Sequence, residues 1–226
     1  MEQLMEYFGV ATGLLYLGLE IRQHRAMWVV GFLTSLVYVF VFFRAKIYAD
    51  MGLNCYYVAI SVYGFWQWSR TWKRAALHRE AGEFSATAGC PDKPRRREQK
   101  QQESCAKANP PILYRRLNLR LGIGLAVALG AIYGGIYYFL VAFTDSPIPA
   151  GDAFTTAVGI VATWMLARRI IEHWICWVVV NGVSVYLYEL RGLYPTMFLY
   201  FCYTVLAVIG FYTWKKKGIQ TNDRTL

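Results

Sequence analysis

The chain alternates between long apolar segments and short polar ones, and this alternation predicts its fold class. Seven apolar runs stand out across the 226 residues. Most of them match the roughly 20 residues that a helix needs to cross about 30 Å of hydrocarbon. Because backbone amides in lipid must be satisfied within each segment, we predict that these runs are helices. The predicted spans cover residues 4–21, 27–43, 51–69, 118–142, 153–167, 173–190 and 194–214.

Composition supports an all-α polytopic membrane protein. Hydrophobic residues make up 56% of the chain and charged residues only 17%, whereas soluble domains carry about 25% charged residues. The first residues, MEQLMEYFG, lack the basic start of a signal peptide, so we expect the first run to remain as a span. The five cysteines form no CxxC pair, which favours reduced thiols over a disulfide framework.

The net charge of +10 is concentrated in one place, because residues 70–120 hold 13 Lys or Arg against 5 Asp or Glu. This stretch has no zinc-ligand spacing and no nucleic-acid-binding motif, so we expect no nucleic-acid partner. We expect residues 73–116 to form a flexible basic loop in the cytoplasm, able to contact anionic lipid.

Charge asymmetry predicts the orientation in the membrane. With the N-terminus outside, the cytoplasmic segments contain 21 Lys and Arg residues and the outer segments only 3. Cytoplasmic loops carry the excess of basic residues in membrane proteins. We therefore predict that the N-terminus is outside and the C-terminus is in the cytoplasm.

Similar motifs near the two ends of the chain predict an internal repeat. If one gap of three residues is allowed, the matched pairs are Trp28 with Trp177, Tyr57 with Tyr203, Gly64 with Gly210, and Trp68 with Trp214. Each repeat holds three spans, and one extra span between them makes the two repeats parallel. Parallel repeats are a known transporter plan with the substrate at their interface. The predicted organisation is a first repeat at 1–72, the loop at 73–116, a linker helix at 117–143, and a second repeat with the basic tail at 144–226.

The types of side chain that are missing from the centres of the predicted spans exclude several functions. Carboxylates and histidines lie only near span ends or in the loop, so a proton relay or a carboxylate sodium site is not expected. There is no Walker A motif, no metal-ligand cluster and no Ser/His/Asp set. We therefore expect no cofactor and no enzyme activity. A transporter and a seven-helix receptor or sensor both remain open.

Neutral and aromatic residues deep in the spans are candidates for ligand binding. Trp177 and Asn181 are one helical turn apart and face the same side, so a planar ligand could stack on the indole and bond to the amide. The other candidates could instead serve only helix packing. These substrate-binding candidates are Trp28, Thr34, Asn54, Tyr57, Tyr200 and Tyr203, with Phe65 and Trp68 as gating aromatics.

Four stretches resemble the PnuC family of bacterial vitamin transporters, whose best-known substrate is nicotinamide riboside. They are GVATGLLYLGLEIRQ, LVYVFVFFRAKIYADMGLN, YGFWQW, and WVVVN followed by YELRGLYPTMFLYFCYTVLAVIGFYTWKK. The resemblance covers nearly the whole chain outside the basic loop. It implies a SWEET-like 3+1+3 arrangement of seven helices, a homotrimer, and facilitated diffusion pulled by cytoplasmic phosphorylation of the vitamin.

The resemblance also assigns roles to residues. The W-x-x-x-N motif implies that Trp177 stacks on the substrate and Asn181 hydrogen-bonds it, with Tyr200 and Tyr203 lining the other side. We expect alternating access about this site. Three positions depart from the family pattern, because Asn54 stands where Gln is common, Thr34 where Asn is common, and Phe65 where the motif has Trp. Related carriers of thiamine or riboflavin therefore remain alternatives.

Overall fold

Seven helices and one small sheet make up the part of the chain that the computed structural model describes, namely residues 13–45, 48–87, 112–144, 147–190, 192 and 194–220. Helix α1 covers residues 13–21. The other elements are α2 (Ala26–Ala45), α3 (Tyr48–Thr87), β1 (Ile112–Tyr114), α4 (Leu119–Phe143), α5 (Pro149–Ala167), α6 (His173–Leu190), α7 (Tyr194–Lys217) and β2 (Gly218–Gln220).

The helices agree with the predicted spans, with differences at the polar segments. The start of the first span, from residue 4, lies outside the described residues. Helix α3 continues well past the predicted end at residue 69, to Thr87. The segment 73–116, which we expected to be a flexible loop, is therefore helical at its start and contains strand β1 near its end. Residues 88–111 of that segment lie outside the described residues.

Three of the described helices are clearly long and apolar enough to cross a membrane. They comprise Leu119–Phe143, Pro149–Ala167 and Thr196–Lys217, and Ala26–Val41 is a shorter apolar stretch. Helix α2 packs against α3, α6 packs against both α5 and α7, and α5 also contacts α3. Among the described elements α4 packs only against α5, and none of its residues is buried. That surface is suited to lipid or to another copy of the chain.

The same tryptophan contact occurs once in each half of the chain. The Trp28 and Trp68 rings meet edge-on at 5.6 Å, and the Trp174 and Trp214 rings meet edge-on at 5.7 Å. The step along the chain from Trp28 to Trp174 is the same as the step from Trp68 to Trp214. We call this constant step the repeat spacing, because other contacts in the two halves are separated by it as well.

A glycine lies under the first ring of each tryptophan pair. Gly64 lies under Trp28 and Gly210 under Trp174, and the two glycines are also one repeat spacing apart. Both leave room for the indole, because an added Cβ would collide with the ring. The counterpart of Trp28 is thus Trp174, and the pairing of Trp28 with Trp177 across a three-residue gap is wrong.

Helices α1 and α5 end in the same way, again one repeat spacing apart. Gln23 and Arg169 both adopt left-handed backbone, with φ of 51° and 57°. The N–H groups of Gln23 and His24, and those of Arg169 and Ile170, donate back to carbonyls of the last helical turn. This is the pattern of a Schellman turn, which usually has glycine at the left-handed position. The predicted spans end at residues 21 and 167, which are the ends of these two helices.

Each of these helix ends receives a hydrogen bond from the opposite half of the chain. The indole N–H of Trp68, on α3, donates to the Ala167 carbonyl at 3.2 Å. The indole N–H of Trp214, on α7, donates to the Ile21 carbonyl at 3.2 Å. Both carbonyls belong to last turns, where no partner exists within the helix. The two reciprocal bonds therefore join the two halves at the end where α1 and α5 finish.

A small sheet covers the same end. Strand β1 pairs in parallel with β2, from Ile112 opposite Gly218 to Tyr114 opposite Gln220. On its other side the Gln23 side chain donates to the Leu113 carbonyl at 2.8 Å and accepts from the Leu113 N–H at 3.0 Å. The Arg115 N–H then donates to the Arg169 carbonyl. The segment before α4 is thus bound to both helix ends.

The indole bond of Trp214 can be tested against a matched position. Trp214→Phe removes the donor and leaves the Ile21 carbonyl unpaired, whereas Trp174→Phe removes a similar volume from an equally buried ring whose N–H has no partner among the described residues. We expect Trp214→Phe to destabilise the protein by about 1–3 kcal/mol more than Trp174→Phe. Unfolding in detergent, followed by fluorescence, measures the difference, and equal losses would contradict a role for the bond.

Candidate functional site

A cavity of about 1070 Å³ lies between five helices, on the side of the molecule away from the Schellman turns. It is bounded by the first part of α3, the last part of α4, the first half of α5, most of α6, and one residue of α7. Ligand sites are typically about 300–1,000 Å³, so the cavity can hold a small molecule with water. Its polar and aromatic lining consists of Tyr56, Tyr57, Phe139, Thr144, Asp152, Thr155, Thr156, Trp177, Asn181, Ser184, Tyr188 and Tyr200.

Trp177 and Asn181 line the cavity together from α6, as their spacing predicts. Asn181 is only 6% exposed, and its amide makes no hydrogen bond to the described residues. A buried amide without a partner is costly, so this side chain is suited to bond a ligand or a water in the cavity. Gly159, on α5, faces both Trp177 and Tyr57 without a side chain of its own, which leaves the space between the two rings open.

Tyrosines build the remaining walls. The Tyr56 hydroxyl donates to the Ile160 carbonyl at 2.8 Å, which holds α3 against α5 beside the cavity. The Tyr188 and Tyr200 rings stack at 5.0 Å, and Tyr203 meets Tyr200 edge-on at 5.8 Å. Tyr200 is therefore held by contacts with the rings of Tyr188 and Tyr203. Tyr188 also lines the cavity, whereas Tyr203 does not.

Of the ten residues that the sequence singled out, the structure brings four to the cavity, namely Tyr57, Trp177, Asn181 and Tyr200. Thr34, Asn54 and Tyr203 do not line it, and the Tyr203 hydroxyl lies against Gly13 instead. The other three are Trp28 and Trp68, which are buried in their own tryptophan contact, and Phe65, which is exposed.

Asp152, in the first turn of α5, also lines the cavity, although it was not among the residues predicted from the sequence. The cavity lining among the described residues includes this carboxylate and no Lys, Arg or His. The sequence does contain a sign of this position, because Asp152 follows Pro149 at the predicted start of a span, and this pattern indicates a helix that begins at the membrane surface. No group of three or more His, Cys, Asp or Glu side chains that could hold a metal ion occurs in the described part of the chain.

Comparison with known families agrees with this architecture. The family described as nicotinamide mononucleotide transporter matches residues 3–216, which is nearly the whole chain. The chain belongs to this family. The resemblance to PnuC transporters drawn from four sequence stretches is thereby confirmed.

Several characterised relatives carry names that specify a cargo. The nicotinamide riboside transporter PnuC of Escherichia coli K12 is 22% identical over 98% of this chain and 89% of its own length. The PnuC of Neisseria mucosa is 26% identical, over 82% of this chain and 62% of its own length. The riboflavin/roseoflavin transporter RibM of Streptomyces davaonensis is 26% identical over 91% of this chain and 82% of its own length.

A solved structure supports the fold. The crystal structure of the vitamin B3 transporter PnuC superposes with a TM-score of 0.61 at 20% sequence identity, and the alignment covers 92% of this chain and 79% of that one. The family and its named relatives are transporters and not enzymes. The chain is therefore a helical membrane transporter, which removes the receptor alternative.

Proposed function

We propose that the protein takes up nicotinamide riboside by facilitated diffusion, with alternating access to the cavity and trapping by cytoplasmic phosphorylation of the vitamin. The observation that supports this substrate is the Trp177–Asn181 pair in the cavity wall, where a flat aromatic surface lies beside an amide without a partner among the described residues. The names of the PnuC relatives support the same cargo.

In this proposal the nicotinamide ring stacks on Trp177 and the Asn181 amide bonds its carboxamide or the ribose. Tyr57 and Tyr200 close the sides, and Ser184, one turn further along α6, offers a hydroxyl beside Asn181. An uncharged sugar and a flat heterocycle need this combination of stacking and neutral hydrogen bonds. Thr34, Asn54 and Tyr203 would reach the substrate only after the helices move.

Asp152 favours a cationic ring. The pyridinium ring of nicotinamide riboside is positively charged, and the carboxylate is the one ionisable acid or base, apart from tyrosines, among the described lining residues. Charge attraction and the aromatic walls both stabilise a cation. Riboflavin is neutral, so the cavity favours nicotinamide riboside over riboflavin, while thiamine, which is also cationic, remains a second candidate. Likeness to RibM keeps riboflavin as an alternative to be measured.

We propose a SWEET-like arrangement in which α1–α3 and α5–α7 are equivalent units and α4 is the linker. The contacts that recur at the repeat spacing support it. We also propose that the N-terminus is outside, because of the Lys and Arg distribution, and that the protein is an inner-membrane homotrimer with α4 at the interface. In this orientation the cavity lies toward the outer side and the reciprocal indole bonds close the cytoplasmic end.

Trp177→Ala tests the stacking role. Loss of one ring–aromatic stack should weaken nicotinamide riboside binding by about 1–3 kcal/mol, or roughly 5- to 150-fold. Calorimetric titration of the purified protein measures this. The control is Trp66→Ala, because Trp66 is on α3, is 52% exposed and does not line the cavity. Equal affinities for the wild type and Trp177→Ala would refute this placement of the substrate.

Asp152→Asn tests the preference for positive charge. We expect the variant to bind the cationic riboside about fivefold more weakly, for about 1 kcal/mol of lost attraction in a hydrated cavity. Its affinity for reduced nicotinamide riboside, which has nearly the same shape and no charge, should not change. Competition binding with both compounds gives the comparison. Equal weakening of both would show that the carboxylate acts through shape or hydrogen bonding and not through charge.

A further inference from the structure

Two ionisable side chains meet inside the protein, and one of them is a helical turn before the cavity residue Trp177 on α6. Glu20 is near the end of α1 and His173 is the first residue of α6, and they are 2% and 0% exposed. The His173 Nε2 atom lies 3.2 Å from the Glu20 Oε1 atom. The imidazole is also packed between the rings of Trp174 and Trp214, at 4.7 Å and 4.9 Å. The contact joins the two proposed units next to the indole bonds.

Both ring nitrogens of His173 lie against oxygen atoms that can accept a hydrogen bond. Its Nδ1 atom lies 2.6 Å from the Ile170 carbonyl oxygen. A carbonyl can only accept, so Nδ1 must carry hydrogen. A neutral imidazole then has a bare Nε2, which would face a carboxylate oxygen with no hydrogen between two acceptors. The contact between Nε2 and Oε1 therefore requires one proton more than a neutral histidine and an ionised glutamate hold together, whether on Nε2 or on the carboxyl group.

In the other half of the chain, the counterparts of these two residues are apolar. At the repeat spacing, the counterpart of His173 is Met27 and the counterpart of Glu20 is Leu166. Met27 and Leu166 are both fully buried in the main hydrophobic cluster. Packing at this end of the molecule is thus achieved without ionisable groups in one half of the chain. Ionisable residues buried in membrane proteins are costly and usually functional.

We propose that Glu20 and His173 form a proton-binding site that links the opening of the cytoplasmic end to cytoplasmic pH. This inference rests on the alternating access and orientation of the proposed function. The pair holds one proton while α1 and α6 are in contact and gives it to cytoplasmic water when they separate. The proton is taken back from the same side on closing, so none crosses the membrane.

The direction of the pH effect follows from proton counts. In water, a glutamate is ionised and a histidine is neutral above about pH 6.5. Opening therefore releases about one proton above that pH and fewer below it. The closed form is favoured in acid and loses this advantage as pH rises, with a limit of about tenfold in the opening equilibrium per pH unit.

Other ionisable groups near the pair have interactions of their own. On α1, the Tyr16 phenol is one helical turn from Glu20 and interacts electrostatically with its carboxylate. Glu172, beside His173, accepts from the Leu117 N–H, and Arg169 stacks on Trp68. Burial lowers the pKa of Arg169 to about 10, so it stays protonated near neutral pH. Other charged or titratable residues on the surrounding elements include Arg22, His24, Arg25, Tyr63, Arg70, Tyr114, Arg115, Arg116, Arg168, Cys176, Lys215, Lys216 and Lys217.

Exchange of labelled nicotinamide riboside across proteoliposomes, with the same pH on both sides from about 6.0 to about 8.5, tests the coupling. The riboside keeps its charge over this range, and equal pH makes the orientation of insertion irrelevant. We expect the wild-type exchange rate to rise with pH by up to about tenfold per unit above about pH 6.5. The double variant Glu20→Leu with His173→Met carries the apolar residues found at the corresponding positions, Leu166 and Met27. It should exchange the riboside at a pH-independent rate.

Two further variants complete the design. His24→Asn replaces an exposed histidine whose Nδ1 accepts from the Ala26 N–H, and it should keep the wild-type pH profile. Glu20→Gln serves if the double variant does not fold, because a neutral amide can bond the imidazole without holding an extra proton, and its profile should be flat. A flat wild-type profile, or a double variant with the wild-type profile, would overturn the proposal.

Thermal unfolding in detergent separates this inference from the transport function. The wild type should lose stability relative to the double variant as pH rises above about 6.5, because the unfolded chain gives up the proton that the pair holds. The ratio of folded to unfolded protein should change by up to about tenfold per pH unit. A parallel decline in both proteins would show that the pair holds no proton. Absence of exchange at every pH would instead reject the proposed function while this measurement still reports on the pair.

Discussion

Helix ends inside a membrane protein leave carbonyl groups that must find donors, and this requirement organises the molecule. Helices α1 and α5 both finish within the protein. The last-turn carbonyls of Ile21 and Ala167 receive indole N–H groups from Trp214 and Trp68, which belong to the opposite halves of the chain. An unpaired polar group at such a depth costs several kcal/mol. Neither half can therefore satisfy its own backbone without the other.

The division of the molecule follows from that arrangement. One end is closed by tryptophan contacts, the reciprocal bonds and the β1–β2 sheet. At the other end the helices diverge enough to leave the cavity, where the Asn181 amide makes no hydrogen bond to the residues that the structure describes. The two halves are alike in their packing and differ in chemistry, because Trp177 and Asn181 correspond at the repeat spacing to Gly31 and Ser35. Similar frames thus carry the tryptophan–asparagine pair in the second half only, while α3 of the first half contributes Tyr56 and Tyr57 to the cavity.

The apolar pattern predicted the helices well, because each span must be satisfied by its own backbone and must be apolar along its length. The extension of α3 to Thr87 was missed since its polar sequence shows no membrane signal. Strand β1 is three residues long and pairs with β2 near the far end of the chain, which no local pattern reveals. Trp177 and Asn181 could be predicted to share a face from their spacing alone. The meeting of Glu20 with His173, 153 residues apart, depends on tertiary packing.

The indole bond between Trp214 and Ile21 also has a consequence for biosynthesis. The first helix leaves the ribosome early, yet the donor for its terminal carbonyl is 193 residues further along the chain. Strand β1 likewise can pair only after β2 has been synthesised, and β2 directly follows the last helix. Contacts of such high sequence separation form late and slowly. During synthesis the end of α1 must therefore be shielded by water, lipid headgroups or the insertion machinery until the final helix is released.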